Sequence, residues 1–153
     1  MEFIFLRPKN FLIIADDLGL AESVNDGINF LLKEGKINGA SLMANGEAFD
    51  DAIQKLKDLP NINIGVHLVL VEEKPLTLVK LPKNHKTFFI RYILGLINQK
   101  DIYRETKAQI NKCIQAGIKP AFINSHQHLH LLPGIMDTTI KLSKEFDIPY
   151  IRV

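Results

Sequence analysis

Short, continuously apolar runs recur five times along this chain, and the segments between them are longer and carry apolar residues at helical spacing. A continuous run bounded by polar residues is the mark of a strand buried on both faces. Such strands alternating with helices predict an α/β fold with a parallel sheet and right-handed crossovers. The first strand runs from Phe11 to Ala15 and opens into Asp16 and Asp17. The helix after it places Val24, Ile28, Leu31 and Leu32 on one face, with Ser23 and Asp26 as a capping-box-like start and Gly35 as a stop. The second strand spans Ile37 to Ala44, and a helix bearing Ala48, Ala52, Leu56 and Leu59 follows it up to Pro60. The third strand spans Ile62 to Leu70. Beyond a loop with Pro75 and Pro82 come a short apolar helix, Phe88 to Ile97, and a longer one that Asp101 caps and Gly117 ends. The fourth strand, Ala121 to Ser125, gives way to a loop over His126 to Leu132. A helix opening at Pro133 and a fifth strand, Pro149 to Val153, complete the pattern.

In parallel sheets chemistry gathers at the C-terminal ends of the strands. That rule selects Asp16-Asp17, His67 with its neighbours, and Ser125-His126-Gln127-His128-Leu129-His130. Four of the five histidines lie in these places, and only His85 lies elsewhere. One carboxylate with two imidazoles suits a divalent cation such as Zn, Mn, Fe, Co or Mg, and leaves a position open for water. A second carboxylate nearby can take that water's proton. On an extended strand the adjacent Asp16 and Asp17 point to opposite sides, which suits one ligand and one base. An Asp-Asp ahead of a helix is also a common capping turn, and a lone histidine in an apolar strand, as at His67, is more often core than ligand. The run His126, His128, His130 is harder to explain that way; in an extended chain it sets three imidazoles on one face. Asn45 and Glu47, at the end of the second strand, are polar groups able to line the same site. Cys113 falls on the apolar stripe of its helix and reads as core. No Gly-x-Ser-x-Gly elbow surrounds Ser125, and Gly35 to Gly46 holds no Walker-type or Gly-x-Gly-x-x-Gly phosphate loop.

A net charge of +2, from 19 basic and 17 acidic residues that are interspersed, provides no broad field for nucleic acid. A single cysteine precludes an intrachain disulfide and fits a cytoplasmic, reducing location. Met1 to Pro8 lacks the basic region and apolar length of a secretory signal. Phe88 to Ile97, the longest apolar stretch, contains Arg91 and is too short to span a bilayer, so no transmembrane segment is expected. At 153 residues the chain reads as one domain, 1–153.

Ile14-Ala15-Asp16-Asp17-Leu18-Gly19-Leu20 resembles the NADDFGL opening of the YdjC-like carbohydrate deacetylase family. Asn25-Asp26-Gly27-Ile28 is similar to its next segment, and Ala40-Ser41-Leu42-Met43-Ala44-Asn45-Gly46 to its second strand. Gly65-Val66-His67-Leu68-Val69-Leu70-Val71-Glu72 resembles the GLHLxL motif, and Asn124-Ser125-His126-Gln127-His128-Leu129-His130 the DSHxHxH motif. The likeness covers about residues 11 to 153 and is nearest to members associated with hopanoid biosynthesis, somewhat less near to chitooligosaccharide deacetylases. It implies a parallel-sheet (β/α) barrel-like fold related to polysaccharide deacetylases, here an incomplete barrel of about five βα units where a closed one has about seven or eight. It also implies Asp17, His67 and His126 as ligands of one divalent metal ion, Mg or Zn, and Asp16 as general base. Ala15, Leu18 and Asn124 depart from the family's asparagine, phenylalanine and aspartate.

The expected reaction is removal of the acetyl group from an N-acetylated sugar, either an oligosaccharide or a glycolipid. His128 or His130 would protonate the leaving amine, with Asn45 and His130 beside the substrate. Because family members are much longer, the chain is expected to be incomplete as an enzyme. Pro149 to Val153 would then be a bare sheet edge, and a second copy would pair across the open side as a homodimer. Phe88 to Ile97 is expected to be partly exposed as a contact surface. Two other readings stay open: a non-catalytic metal- or sugar-binding fragment, and another metal-dependent hydrolase such as a phosphoesterase.

Overall fold

Alternation along each strand decides which side faces the helices. Ala40 and Leu42, then Ile64, Val66 and Leu68, then Ile123 lie on one face of neighbouring strands, and they pack with Ile28, Leu32, Phe49, Ile110, Cys113 and Leu142 in the main core. The intervening residues Ser41, His67 and Asn124 are left for the opposite face. The computed structural model describes residues 12–59, 62–77 and 80–153. Met1 to Pro8, Phe11 and Pro60, on which expectations above rest, lie outside the described residues.

The elements in order are β1 (Ile14–Leu18), α1 (Glu22–Lys33), β2 (Gly39–Leu42), α2 (Phe49–Leu56), β3 (Asn63–Leu68), α3 (His85–Ile93), α4 (Gln99–Gln115), β4 (Phe122–Ser125), a 3-10 segment (His126–Leu131), α5 (Ile135–Glu145) and β5 (Tyr150–Ile151). The five strands form one sheet in the order β1-β2-β3-β4-β5, each pair parallel. This is the α/β fold that the alternation predicts. Gly65 is required on the inner face, because a Cβ there would stand 2.3 Å from the Phe122 ring. Among the described residues no helix is long and apolar enough to cross a membrane.

Several local expectations need correction. The first strand continues through Asp16 and Asp17 instead of ending before them, since both carboxylates find partners on the inner face. Ser23 and Asp26 do not cap α1, whose N-cap is Ala21 with no side-chain bond. Asn25, buried inside the first turns, instead accepts from Gly19 N at 2.7 Å and donates to Ala48 O at 2.9 Å, which secures the β1–α1 turn. Asn98, not Asp101, caps α4. The short apolar helix starts at His85 behind Asn84. It buries Phe88 in a second core with Leu70, Val71, Ile102, Leu129 and Ile135. Phe89, Ile90, Ile93, Leu94 and Leu96 stay exposed, as the contact-surface expectation requires.

Candidate metal centre

The polar rim of the inner face begins with an irregularity in β1. Ala15 pairs with Ala40 and Leu18 with Leu42, so Asp16 and Asp17 together stand opposite the single residue Ser41. The extra residue is a bulge, and Asp17 takes a left-handed φ of 64°. In a regular strand the two carboxylates would face opposite ways. The bulge brings both to the strand ends, with different partners.

Asp16 is gripped from β2, from β4 and from Arg152, the residue after β5. Its Oδ1 accepts from Ser41 Oγ at 2.7 Å, Asn124 Nδ2 at 3.0 Å and Arg152 Nη1 at 2.9 Å, and its Oδ2 accepts from Arg152 Nη2 at 2.5 Å. Burial alone would raise its pKa. The Arg152 fork and Ser41 outweigh that, aided by the charges of His67 and Arg152, and hold it at about 2.

This grip sets the tautomer of His67. A carboxylate only accepts, so Asn124 must turn its NH₂ to Asp16 and its Oδ1 to His67 Nδ1, 2.8 Å away. An amide oxygen also only accepts, so Nδ1 carries a proton, and the inner nitrogen Nε2 faces Asp17 Oδ1 at 3.0 Å. His126 has the mirror arrangement. Its Nε2 faces Glu72 Oε2 at 3.0 Å and its Nδ1 faces Asp17 Oδ1 at 2.9 Å. The two rings meet edge to face with centroids 5.7 Å apart. Hydrogen bonding to His67 is the largest influence holding Asp17 below the usual carboxylate range; burial opposes it and His126 adds to it. Burial pushes His126 down, but Glu72 and Asp17 together raise it above its ordinary value.

Asp17, His67 and His126 thus offer ligand atoms that all lie within 4.8 Å of one another. Each outer nitrogen is held as N–H by an obligate acceptor, and each inner nitrogen points at the same carboxylate oxygen. Inner lone pairs facing an anion require a positive centre between them, either a proton or a metal ion. The donor set of two imidazoles and a carboxylate therefore fits a divalent cation, with the distal nitrogens bonded as metal-bound histidines ordinarily are.

The remaining sequence candidates separate here. The segment after β4 is not extended, because Gln127 and His128 adopt left-handed φ of 56° and 54°. The three imidazoles therefore do not share a face. His128 is exposed. His130 is buried, its Nδ1 against Ser125 Oγ at 2.6 Å and its Nε2 donating to Arg152 O at 2.9 Å. Both its nitrogens are bonded within the chain, and the ring ties the end of β4 to the residue after β5. Asn45 donates from Nδ2 to Lys74 O at 3.1 Å and joins the loop after β2 to the loop after β3. Sequence reasoning did not single out Ser41, Glu72 or Arg152 as parts of the site. Glu72 ends the quoted His67 motif, which is a local signal; Arg152 has none.

The profile of the family described as YdjC-like protein matches residues 10–153. A carbohydrate deacetylase from Brevibacillus brevis is 35% identical over 141 residues, 90% of this chain and 57% of that protein. A carbohydrate deacetylase from Geobacillus stearothermophilus is 33% identical over 144 residues, 93% of this chain and 59% of that protein. The chain thus spans somewhat more than half the length of these relatives. A crystal structure from Enterococcus faecalis V583, described as a candidate cellobiose-phosphate cleavage protein, superposes with a TM-score of 0.77 at 26% identity, covering 91% of this chain and 57% of that one.

Proposed function

The chain belongs to the YdjC-like family, and on that premise we propose that it carries the cation-binding part of a metal-dependent deacetylase acting on an N-acetylated oligosaccharide or glycolipid. The observation that carries this reading is the convergence of the inner nitrogens of His67 and His126 on Asp17 Oδ1, in a chain whose relatives are named carbohydrate deacetylases. Asp17, His67 and His126 would hold one divalent ion, Mg or Zn, and its Lewis acidity is the chemistry that it would supply there, toward a water and an acyl oxygen. Asp16 would serve as general base, accepting a proton from the attacking water at its carboxylate. Its carboxylate is ionised throughout the neutral range and the Arg152 fork fixes its direction. A group held at about 2 is a weak base, so it works only on a strongly acidified donor. His128, exposed beyond β4, donates to the leaving amine. Asn45 lines the substrate side, and a second copy of the chain is the partner in a cytoplasmic homodimer.

A second reading, hydrolysis of a sugar phosphate ester, is favoured by the description of the Enterococcus faecalis structure. The test is the full chain loaded with Zn or Mg and offered N-acetylglucosamine oligomers, an N-acetylated glycolipid and sugar phosphates. Cation-dependent acetate release supports deacetylation. Phosphate release selects the second reading, and cation uptake with neither product reduces the chain to a binding fragment.

A further inference from the structure

Glu72 lies outside the triad, on the loop after β3, and three features set it apart. Its backbone holds a left-handed φ of 72°, which non-glycine residues seldom adopt. Its Oε2 stands 3.0 Å from His126 Nε2, while its Oε1 is 3.8 Å from His85 Nδ1 at the start of α3. Its loop is strapped to α4 on both sides. Buried Gln109 accepts from Val69 N and donates to Val69 O, and buried Glu105 accepts from Leu76 N and Thr77 N. Glu72 N itself donates to Lys83 O at 3.2 Å. A loop clamped this way delivers one carboxylate to one place.

We propose that Glu72 is the positioning residue of His126: by accepting the proton of Nε2 it turns Nδ1, and not the more commonly used outer nitrogen, toward Asp17 and His67. The inference rests on the cation-site reading above and adds to it which atom of His126 serves and what aims it. Without Glu72 the ring, which sits on a segment that bends through Gln127 and His128, loses the acceptor on its outer side. It can then rotate about its Cβ–Cγ bond or change tautomer. Asn124 does for His67 with an amide what Glu72 does for His126 with a carboxylate, so the two ligands present different nitrogens, Nε2 and Nδ1.

The experiment is nitrogen-15 NMR of the full chain, metal-free and loaded with cadmium-113 alone, for the unaltered protein, Glu72→Gln and Glu72→Asn. Asparagine tolerates the left-handed backbone but is too short to reach His126, so it withdraws the acceptor without straining the loop. In the metal-free protein a slowly exchanging His126 Nε2–H resonance is expected, weakened in Glu72→Gln and lost in Glu72→Asn. With cadmium, coupling is expected to Nδ1 of His126 and Nε2 of His67, and Glu72→Asn should bind about 10–100-fold more weakly, with partial recovery in Glu72→Gln. Coupling to His126 Nε2 overturns the proposal. So does an unchanged Nε2–H signal in Glu72→Asn, or complete loss of cadmium on that substitution, which would make Glu72 a ligand itself. If the unaltered protein takes up no cadmium, the triad reading fails, while the metal-free Nε2–H signal still decides whether Glu72 holds the ring.

Discussion

His67 and His126 meet at one carboxylate oxygen, yet they are held by opposite means. His67 sits on a strand in the middle of the sheet with 3% of its side chain exposed, and its outer partner is a neutral amide anchored through Asp16 to Arg152. His126 begins a bent 3-10 segment, is 17% exposed, and has as its outer partner an acidic side chain on a loop. Strand register places the first ring at little conformational cost, because its backbone is ordinary β structure. Four of the five non-glycine residues with positive φ among those described, Asp17, Glu72, Gln127 and His128, carry or adjoin the second ring and the carboxylate it shares. Strain of about 1–3 kcal/mol per such residue concentrates where a site must be assembled from loops. The comparison teaches that half of this centre is part of the sheet and half is bent into place against it.

The largest effects fall where the two sides meet. Asp17→Ala and His67→Ala should abolish stoichiometric uptake of Zn, read by calorimetry; full retention in either would break the shared-oxygen picture. Asp16→Asn should bind the cation but lose about 10²–10⁴-fold in acetate release, the usual contribution of a general base. Equal loss of cation in Asp16→Ala and Asp17→Ala would mean that the bulge does not divide their roles.

A middle-sized effect sharpens the contrast between the two outer partners. Asn124→Ala should weaken cation binding by about 10–100-fold and also lower stability by about 1–3 kcal/mol, since it strands buried donors and acceptors. Glu72→Asn should weaken binding comparably with little change in denaturant midpoint, because its side chain is 39% exposed. Equal stability losses in the two would erase the distinction between sheet-held and loop-held halves.

The smallest effect concerns the β4–β5 tie. Burial is the main cause holding His130 below its ordinary value of 6.5, and the Nε2–H bond to Arg152 O only partly offsets it. The folded state therefore binds this proton more weakly than the unfolded chain. The stability it contributes is complete above about pH 6.5 and is lost as the pH falls below that value. Melting temperature should drop modestly between pH 7.5 and 5.5, and less so in His130→Gln, whose side chain does not titrate. An identical drop in both would remove His130 from the account.

The sequence by itself determined the parallel α/β order and the residues at the strand ends. Hydrophobic periodicity is a local property, and an apolar run such as Ile64 to Leu68 or the stripe bearing Ile110 and Cys113 needs only its own neighbours to be read. It also singled out Asp17, His67 and His126, through motifs whose wording resembles a known family. It misjudged caps and the His126–His130 run, because the left-handed turns at Gln127 and His128 carry no glycine to announce them. Only the tertiary structure decided what each of those side chains touches. The bonds that aim them join Asp16 to Arg152 across 136 positions, Asp17 to His126 across 109, and Glu72 to His126 across 54. Partners that distant are brought together by strand order and by a one-residue bulge opposite Ser41, and neither is written in any short stretch of sequence.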